Sequence, residues 1–505
     1  MGEDKIFSQF PNLPKMVVDF IKSLVAMIKS KDNELTELRA ENQRLKERLS
    51  LDSHNSSKPP SSDPPDKKKP NPKSTREPSG KKPGGQPGHK GHGNKLLQIR
   101  EPDKVIEHWP DACEGCSNRD QCASNGKVSN TQYEYDVLFV PVFTKNLVMS
   151  CCCPLKDGEK LIGTAPLSST HQYGKGLKVL CALLYSYGTV SYSRIKGLIE
   201  GLFGFSISVA TVWEAVQSCK NGLADTIEWI KENLKNSPLL HPDETGLKVN
   251  GKNHWVHGVT NGILTYLSVQ EKRGHEGMVK AGVLNNFNGM AMHDYWKSYY
   301  KFANMIHALC NVHLVRELIE RWENTKQEWP KKMLELLFRI KTAKEEIIKK
   351  DGNAFSKDQW AEYKGEYDLI VEEGFRLNPP PEPNPNKRGQ PAKGKSRCLL
   401  ERLHDRHEEI LRFATDFSVP FGNNAAEQIM RHVKNRQKIS GSMRIINGAQ
   451  AYCDIMSYLL SIRSYNVNAF DAIMHVFNGT SREHLERLYS VVNPNILAPN
   501  SVQPL

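Results

Sequence analysis

Residues 53–95 constrain the chain most. They read SHNSSKPPSSDPPDKKKPNPKSTREPSGKKPGGQPGHKGHGNK. Proline fixes φ and has no N–H to donate, and glycine loses more conformational freedom on ordering than any other residue. Repeated use of both keeps this stretch out of helix and sheet interiors, and its few apolar side chains cannot offset the entropy of ordering. No single core can run through it, so residues 51–100 form a linker. The ten Lys and Arg of residues 53–95 against three acids, Asp63, Asp66 and Glu77, leave it strongly basic. Such a tether gains from counterion release beside a phosphate backbone; the plainer reading is a solvated spacer. The whole chain leans the same way, at +12 over 505 residues. That favours an anionic partner, nucleic acid first, and says nothing about fold.

The other segments can bury cores, since 38% of the residues are hydrophobic. No run of about 18 apolar residues offers a membrane span. The first residues, MGEDKIFSQFPNLPK, lack a basic region followed by an apolar core and a cleavage site, which argues against export. Eleven cysteines, an odd number in such a chain, suit thiols or metal ligands better than a disulfide framework.

Before the linker, residues 15–50 form one helix. Ile21, Ile28, Leu35, Asn42 and Leu49 fall at heptad position a, with Leu24, Lys31, Leu38 and Leu45 at d. This predicts a coiled coil joining two or more chains, the alternative being an amphipathic helix packed on its own chain. After the linker, residues 101–165 carry six cysteines. Cys113 and Cys116 make a C-x-x-C knuckle, Cys122 follows, and Cys151, Cys152 and Cys153 come after a strand-like stretch. A knuckle with a distant second pair suits a zinc-ribbon-like module holding one structural Zn²⁺, with Cys113 and Cys116 as firm ligands and two of Cys122, Cys151, Cys152 and Cys153 completing it. Free thiols in a strand hairpin are the alternative. Residues 170–235 are helical, with Ser191 or Ser193 and then Ser208 as caps; helix, glycine-containing turn and helix fit an HTH-like DNA-binding domain as well as any small bundle.

From residue 237 the period changes to that of strands. SPLLHPDETGLKV, NHWVHGVT and GILTYLSVQ are separated by Asn250-Gly251 and Asn261-Gly262, both hairpin signals. A helix and a further strand ending in Asp294 follow, matching the first half of an RNase H-like sheet. In that topology the first and fourth strands are neighbours, which puts Asp243 and Asp294 side by side. Two close carboxylates repel, and a divalent cation removes the conflict. Taken singly, an aspartate at a strand end is more simply a turn former. His307, Cys310 and His313 recur at every third position of a helix expected after Asp294. They read as polar residues packing that helix on the sheet, with a second zinc site as the alternative.

Here the sequence resembles a known family. NSSKPPSSD and KKPGGQPGHKGH, then HPDETGLKVNGKNHWVH, HDYWKSYYKF with HALCNVHLVREL, and PFGNNAAEQIMRHVKNRQKISGSMR are similar to transposases of the insertion-sequence sixty-six type, of the DDE group. The resemblance implies an RNase H-like catalytic domain whose Asp, Asp, Glu triad falls on Asp243, Asp294 and Glu427. It implies that these carboxylates hold two Mg²⁺ (or Mn²⁺), and that water and then the freed 3′-OH attack phosphodiesters in line. It also implies cytoplasmic, nucleoid-associated work in a bacterium on element ends and target DNA, as a homodimer or higher oligomer, with element-encoded helper proteins and no membrane. The fold expected is multidomain α+β: coiled coil, Cys-rich module, HTH-like domain, a catalytic domain over 236–465 with a helical insertion at about 325–420, and a C-terminal segment over 466–505. Asn423 and Asn424 are expected to cap the helix that carries Glu427 in its first turn. Arg431, Lys434, Arg436 and Lys438 behind it are expected to grip phosphates. Gln428 stands where the family often has Arg. The alternative function is a DNA-binding protein that keeps the fold and has lost turnover.

Overall fold

The computed structural model describes residues 14–52, 55–56, short stretches between 104 and 164, 172–381 and 393–492. The chain is α+β and divides into two compact units. One comprises Met1–Pro70, Tyr173–Ile195 and Ser208–Leu505; the other Asn71–Gln172 and Lys196–Ile207.

In the second unit a hairpin pairs β1 (Ser150–Cys153) antiparallel with β2 (Glu159–Ile162), Cys151 standing opposite Leu161 and Cys153 opposite Glu159. Cys116 and Cys151 are exposed free thiols. Cys113 and Cys122 lie outside the described residues, so the zinc-ribbon expectation stays an expectation.

The first unit opens with α1 (Lys15–Leu49), as the heptads predict. Most of its apolar a and d residues face solvent: Leu24, Ile28, Leu35, Leu38 and Leu45 are exposed, and Ile21 is half-buried. Its C-terminal end is anchored on the helices of this unit. Glu47 reaches Arg321 at 3.4 Å and Lys395 at 3.2 Å, and Asp52 and Asn55 exchange backbone-to-side-chain hydrogen bonds just beyond. An apolar stripe of this length left in water is unfavourable. Residues 15–50 are therefore expected to drive self-association. Sedimentation of the full chain against a truncation lacking them should show an assembly that collapses to monomer; two monomers at micromolar concentration would refute it.

Helices α2 (Lys175–Ser186), α3 (Tyr192–Phe203), α4 (Val209–Gly222) and α5 (Ala224–Lys235) precede the sheet. Ser208 caps α4 as expected, its hydroxyl accepting from the Thr211 N–H at 2.9 Å. The described part of the C-terminal segment, up to residue 492, carries two helices. There α14 (Ala469–Asn478) packs on α2 and α4, and α15 (Ser481–Val492) on α5. α14 also packs on α13 (Ile446–Arg463), a helix buried along most of its length.

The sheet has five strands in the order β5-β4-β3-β6-β7. β3 (Leu239–Val249), β4 (Lys252–Thr260) and β5 (Thr265–Gln270) form an antiparallel meander, while β6 (Met290–His293) and β7 (Ile306–Leu309) run parallel to β3. Asn250-Gly251 is a two-residue hairpin turn with φ of 48° and 75°, both left-handed, as its residues predict. Asn261-Gly262 instead starts a four-residue connection, because the Asn261 side chain accepts from the N–H groups of Ile263 and Leu264. β5 is an edge strand, and α13 covers its open donors. The Thr265 N–H donates to Ser461 and the Leu267 N–H to Ser457, at 2.9 and 2.8 Å.

Between β5 and β6 lies the short α6 (His275–Ala281). α7 (Asn311–Thr325) follows β7 and leads into α8 (Trp329–Ile348), α9 (Lys357–Leu377), α10 (Lys395–Asp405) and α11 (His407–Thr415). Helices α8 to α11 fall within residues 325–420, the stretch expected to be helical. It has no separate core. Trp329, Leu336, Ile340, Leu400 and Phe413 belong to one buried cluster with Met292 of β6 and Leu309 of β7. The Pro-rich basic loop at 379–394 lies largely outside the described residues. The chain returns through α12 (Asn424–Ser440), which lies across β3 and β4. Gly258 permits this approach, since a Cβ there would stand 2.1 Å from the Met430 methyl.

Candidate functional site

Asp243 lies mid-strand on β3, and Asp294 follows the last residue of β6. β3 and β6 are hydrogen-bonded neighbours. The Glu244 N–H donates to Asp243 Oδ1 at 2.8 Å, and Asp294 Oδ1 accepts from the Trp296 N–H at 3.0 Å, a local turn that sets its carboxylate at the strand end. Burial, then the charges of Glu244 and Asp294, push the Asp243 carboxyl up to about 7. The two aspartates therefore stand within electrostatic reach of each other.

A third acid, absent from the sequence reading, sits among them. The Glu244 side chain is only 2% exposed and is held by the Arg273 guanidinium, at 2.8 and 3.1 Å, and by the Tyr299 hydroxyl at 2.7 Å. Arg273 is itself placed over the rings of Trp296 at 4.2 Å and Trp255 at 5.0 Å. Even so, burial and the Asp294 charge raise the Glu244 carboxyl. The adjoining letters Asp243-Glu244 were the signal. Alternation along a strand sends the two to opposite faces, and the turn after β6 brings Asp294 within reach of both.

Glu427 occupies the first turn of α12, as expected. The expected caps do not act as caps: Asn423 makes no side-chain bond to the helix. Its amide is taken by the sheet, its Oδ1 meeting His241 Nδ1 at 2.9 Å and its Nδ2 donating to the Pro242 carbonyl at 2.9 Å. Asn423 thus fixes the start of α12 against β3, one residue from Asp243. His313 is within electrostatic reach of both Asp243 and Glu427. Burial opposes protonation of His313, but Cys310 and Glu427 hold its imidazole up at about 9.

His307, Cys310 and His313 do not share a helix. His307 is on β7, Cys310 is the residue before α7 and His313 is inside it. His307 turns instead to the buried His293, Nδ1 to Nε2 at 2.8 Å. Cys310 and His313 meet Glu427.

The basic run on α12 splits. Arg431, Lys434 and Lys438 are exposed, and Lys434 lies within electrostatic reach of Asp243. Arg436 is buried at 3% exposure, its guanidinium 4.3 Å from the Tyr185 ring and 5.4 Å from Tyr452, donating to the carbonyls of Tyr185 and Val190. It ties α12 to α2 and cannot grip phosphate. The signal was present: Ala426, Ile429, Met430, Val433 and Arg436 fall on the one buried helix face.

The segment that follows Asp294 borders a groove of about 740 Å³, walled also by α7, α10 and the residues just after α1. Tyr295, Lys297, Tyr300, Lys393, Arg402 and Arg406 line it, with Glu317, Glu320, Glu401 and Asp405 among them. Arg402 lies over the Tyr295 ring at 4.1 Å and Arg406 over Tyr300 at 4.0 Å.

Buried acids crowded at adjoining strands, with exposed cations close by, are equipped to bind a hard cation and a polyanion together. Residues 173–451, more than half the chain, match the family model described as Transposase IS66 family, and the chain belongs to that family. That makes it a DNA-processing enzyme of transposition. Residues 15–95 match a second model, described as a family of unknown function. No curated protein matches the chain. Among the described residues no helix is long and apolar enough to cross a membrane.

Proposed function

We propose that this transposase cuts DNA at the ends of its element and joins the freed ends to target DNA, using Asp243, Asp294 and Glu427 on an RNase H-like sheet. The carrying observation is the pairing of β3 with β6, which sets Asp243 and Asp294 within electrostatic reach of each other. Acids so crowded are costly as structure and fitting as ligands for Mg²⁺ or Mn²⁺. The strand order supports the fold reading: an antiparallel meander followed by two strands parallel to its first member.

A divalent cation, when bound, would polarise the phosphoryl oxygens and lower the cost of making an oxygen nucleophile. The chain does the rest. Asp243 and Asp294 supply rigid carboxylates from neighbouring strands, and Glu427 supplies one from a helix pinned by Asn423. Arg273 and Tyr299 hold Glu244 away from competing roles. Arg431, Lys434 and Lys438 offer phosphate contacts that position the duplex, and the groove by Tyr295 and Tyr300 provides a path for a strand. Water first opens one P–O bond and leaves a 3′-OH. That hydroxyl then attacks a target phosphodiester, exchanging one P–O bond for another. The zinc-holding Cys-rich module, the DNA-reading helices before the sheet and the self-association through α1 belong to this same reading.

Purified chain with end-containing DNA should nick it in Mg²⁺ and not in chelator, and Asp294→Asn should abolish nicking while retaining salt-sensitive binding. Binding without nicking by the parent chain in either Mg²⁺ or Mn²⁺ would favour the inactive DNA-binding protein instead.

A further inference from the structure

The pair Cys310 and His313 takes no part in the cutting chemistry above. Cys310 immediately precedes α7 and His313 lies in its first turn. The third member of their cluster comes from far along the chain, Glu427 at the start of α12. One ligand atom from each lies within 4.8 Å of the other two. Ligand atoms around a tetrahedral zinc, at about 2.0–2.3 Å from the ion, stand roughly 3.3–3.8 Å apart. The three therefore need to close by only about an ångström.

Several features mark this as a built site. His313 Nδ1 is buried and has no hydrogen-bond partner, an unusual state for a polar atom in a folded interior. The Asn423 N–H donates to Cys310 Sγ at 3.2 Å. Through its side chain the same residue is tied to His241 and Pro242. A donor on the ligand sulfur and a loop fixed to the sheet are the outer supports that orient metal ligands. The turn is also pressed onto the helix start: a Cβ at Gly422 would meet Val312 Cγ2 at 2.5 Å and Cys310 Sγ at 3.7 Å. Both anionic donors stand at helix N-termini, where negative charge is favoured. A thiolate, a carboxylate and a neutral imidazole together carry the charge that one divalent ion balances. Thiolate and imidazole select a soft or borderline ion over Mg²⁺.

We infer that Cys310, His313 and Glu427 bind one thiophilic divalent ion of the zinc class, with a coordination position left open. The inference shares Glu427 with the cutting site but does not depend on cutting, because binding is read without DNA.

The test uses the full chain, stripped with chelator and titrated with Co²⁺, whose thiolate charge-transfer and visible bands report the ligands; Zn²⁺ then competes. Cysteines elsewhere contribute their own bands, so the readout is the difference between parent and variants. The parent should take one equivalent more than Cys310→Ser. His313→Gln should weaken that equivalent by more than the ~10–100-fold that loss of an outer support costs. Asp294→Asn should bind as the parent does. Thermal melts identify any variant that fails to fold, and the other ligand variant then carries the result. Equal equivalents and equal affinities in the parent, Cys310→Ser and His313→Gln overturn the site. A parent that binds the extra ion but never nicks DNA leaves this inference standing and removes the cutting reading.

Discussion

Glu427→Gln is expected to abolish both end cleavage and strand transfer, by at least about a hundredfold, while folding and DNA binding stay close to those of the parent. The change keeps size and polarity and removes the charge that balances a cation. The other acids between residues 401 and 430 are engaged elsewhere or free in solvent. Glu401 pairs with Lys393 and Arg397, Glu409 accepts from Tyr300 and Arg406, and Asp405 meets His404. Asp416 accepts from Ser418 in a local turn, and Glu408 is exposed on α11. Glu427 differs from them in its setting. It stands in the first turn of a helix that Asn423 pins to β3, and it shares His313 as an electrostatic neighbour with Asp243. Glu408→Gln is the matched control and should nick at the parent's rate. Nicking by Glu427→Gln at a comparable rate would show that the third carboxylate is another residue.

Arg436→Ala should lower the stability of the fold by about 2–4 kcal/mol and should not act through DNA affinity. The guanidinium is buried, stacked against Tyr185 and Tyr452, and bonded to two backbone carbonyls. Truncation leaves those carbonyls without their donor and opens a void between α12 and α2. Lys434→Ala is the contrast. Lys434 is exposed, so its loss should change stability by no more than about 0.5 kcal/mol and reduce the salt slope of DNA binding by about 1. Denaturant midpoints and salt titrations on both variants check this. An Arg436→Ala protein that melts like the parent yet loses a phosphate contact's worth of salt dependence would return Arg436 to the DNA-binding face.

Much of the site was legible because its signals are local or rest on topology. Asp243 was placed within the first strand and Asp294 at the end of the fourth, and the adjacency of those two strands paired them. Glu427 was placed by its motif, and its seat in the first helical turn followed from the neighbouring asparagines. Residues whose roles are set across the fold were harder to read. Glu244 follows Asp243 directly, yet its part in the acid cluster depends on Arg273 and Tyr299. His307 looked like a helix residue because the spacing to Cys310 and His313 is three, a period that cannot tell where a short strand stops.

By itself the sequence determined the heptad helix, the left-handed turn at Asn250-Gly251, the Ser208 cap and the strand-then-helix order that carries the acids. Each depends on backbone preference or on a repeat within a few residues, and such information is complete in a short window. Only the tertiary structure decided that Arg436 is buried, that Asn423 holds the sheet rather than its helix, that the C-terminal helices pack onto α2, α4 and α5, and that Cys310 and His313 meet Glu427. A helical period tells which side chains share a face. Which face another element covers, and which distant donors then converge, is set by the packing of that element against the sheet, a relation between segments more than a hundred residues apart.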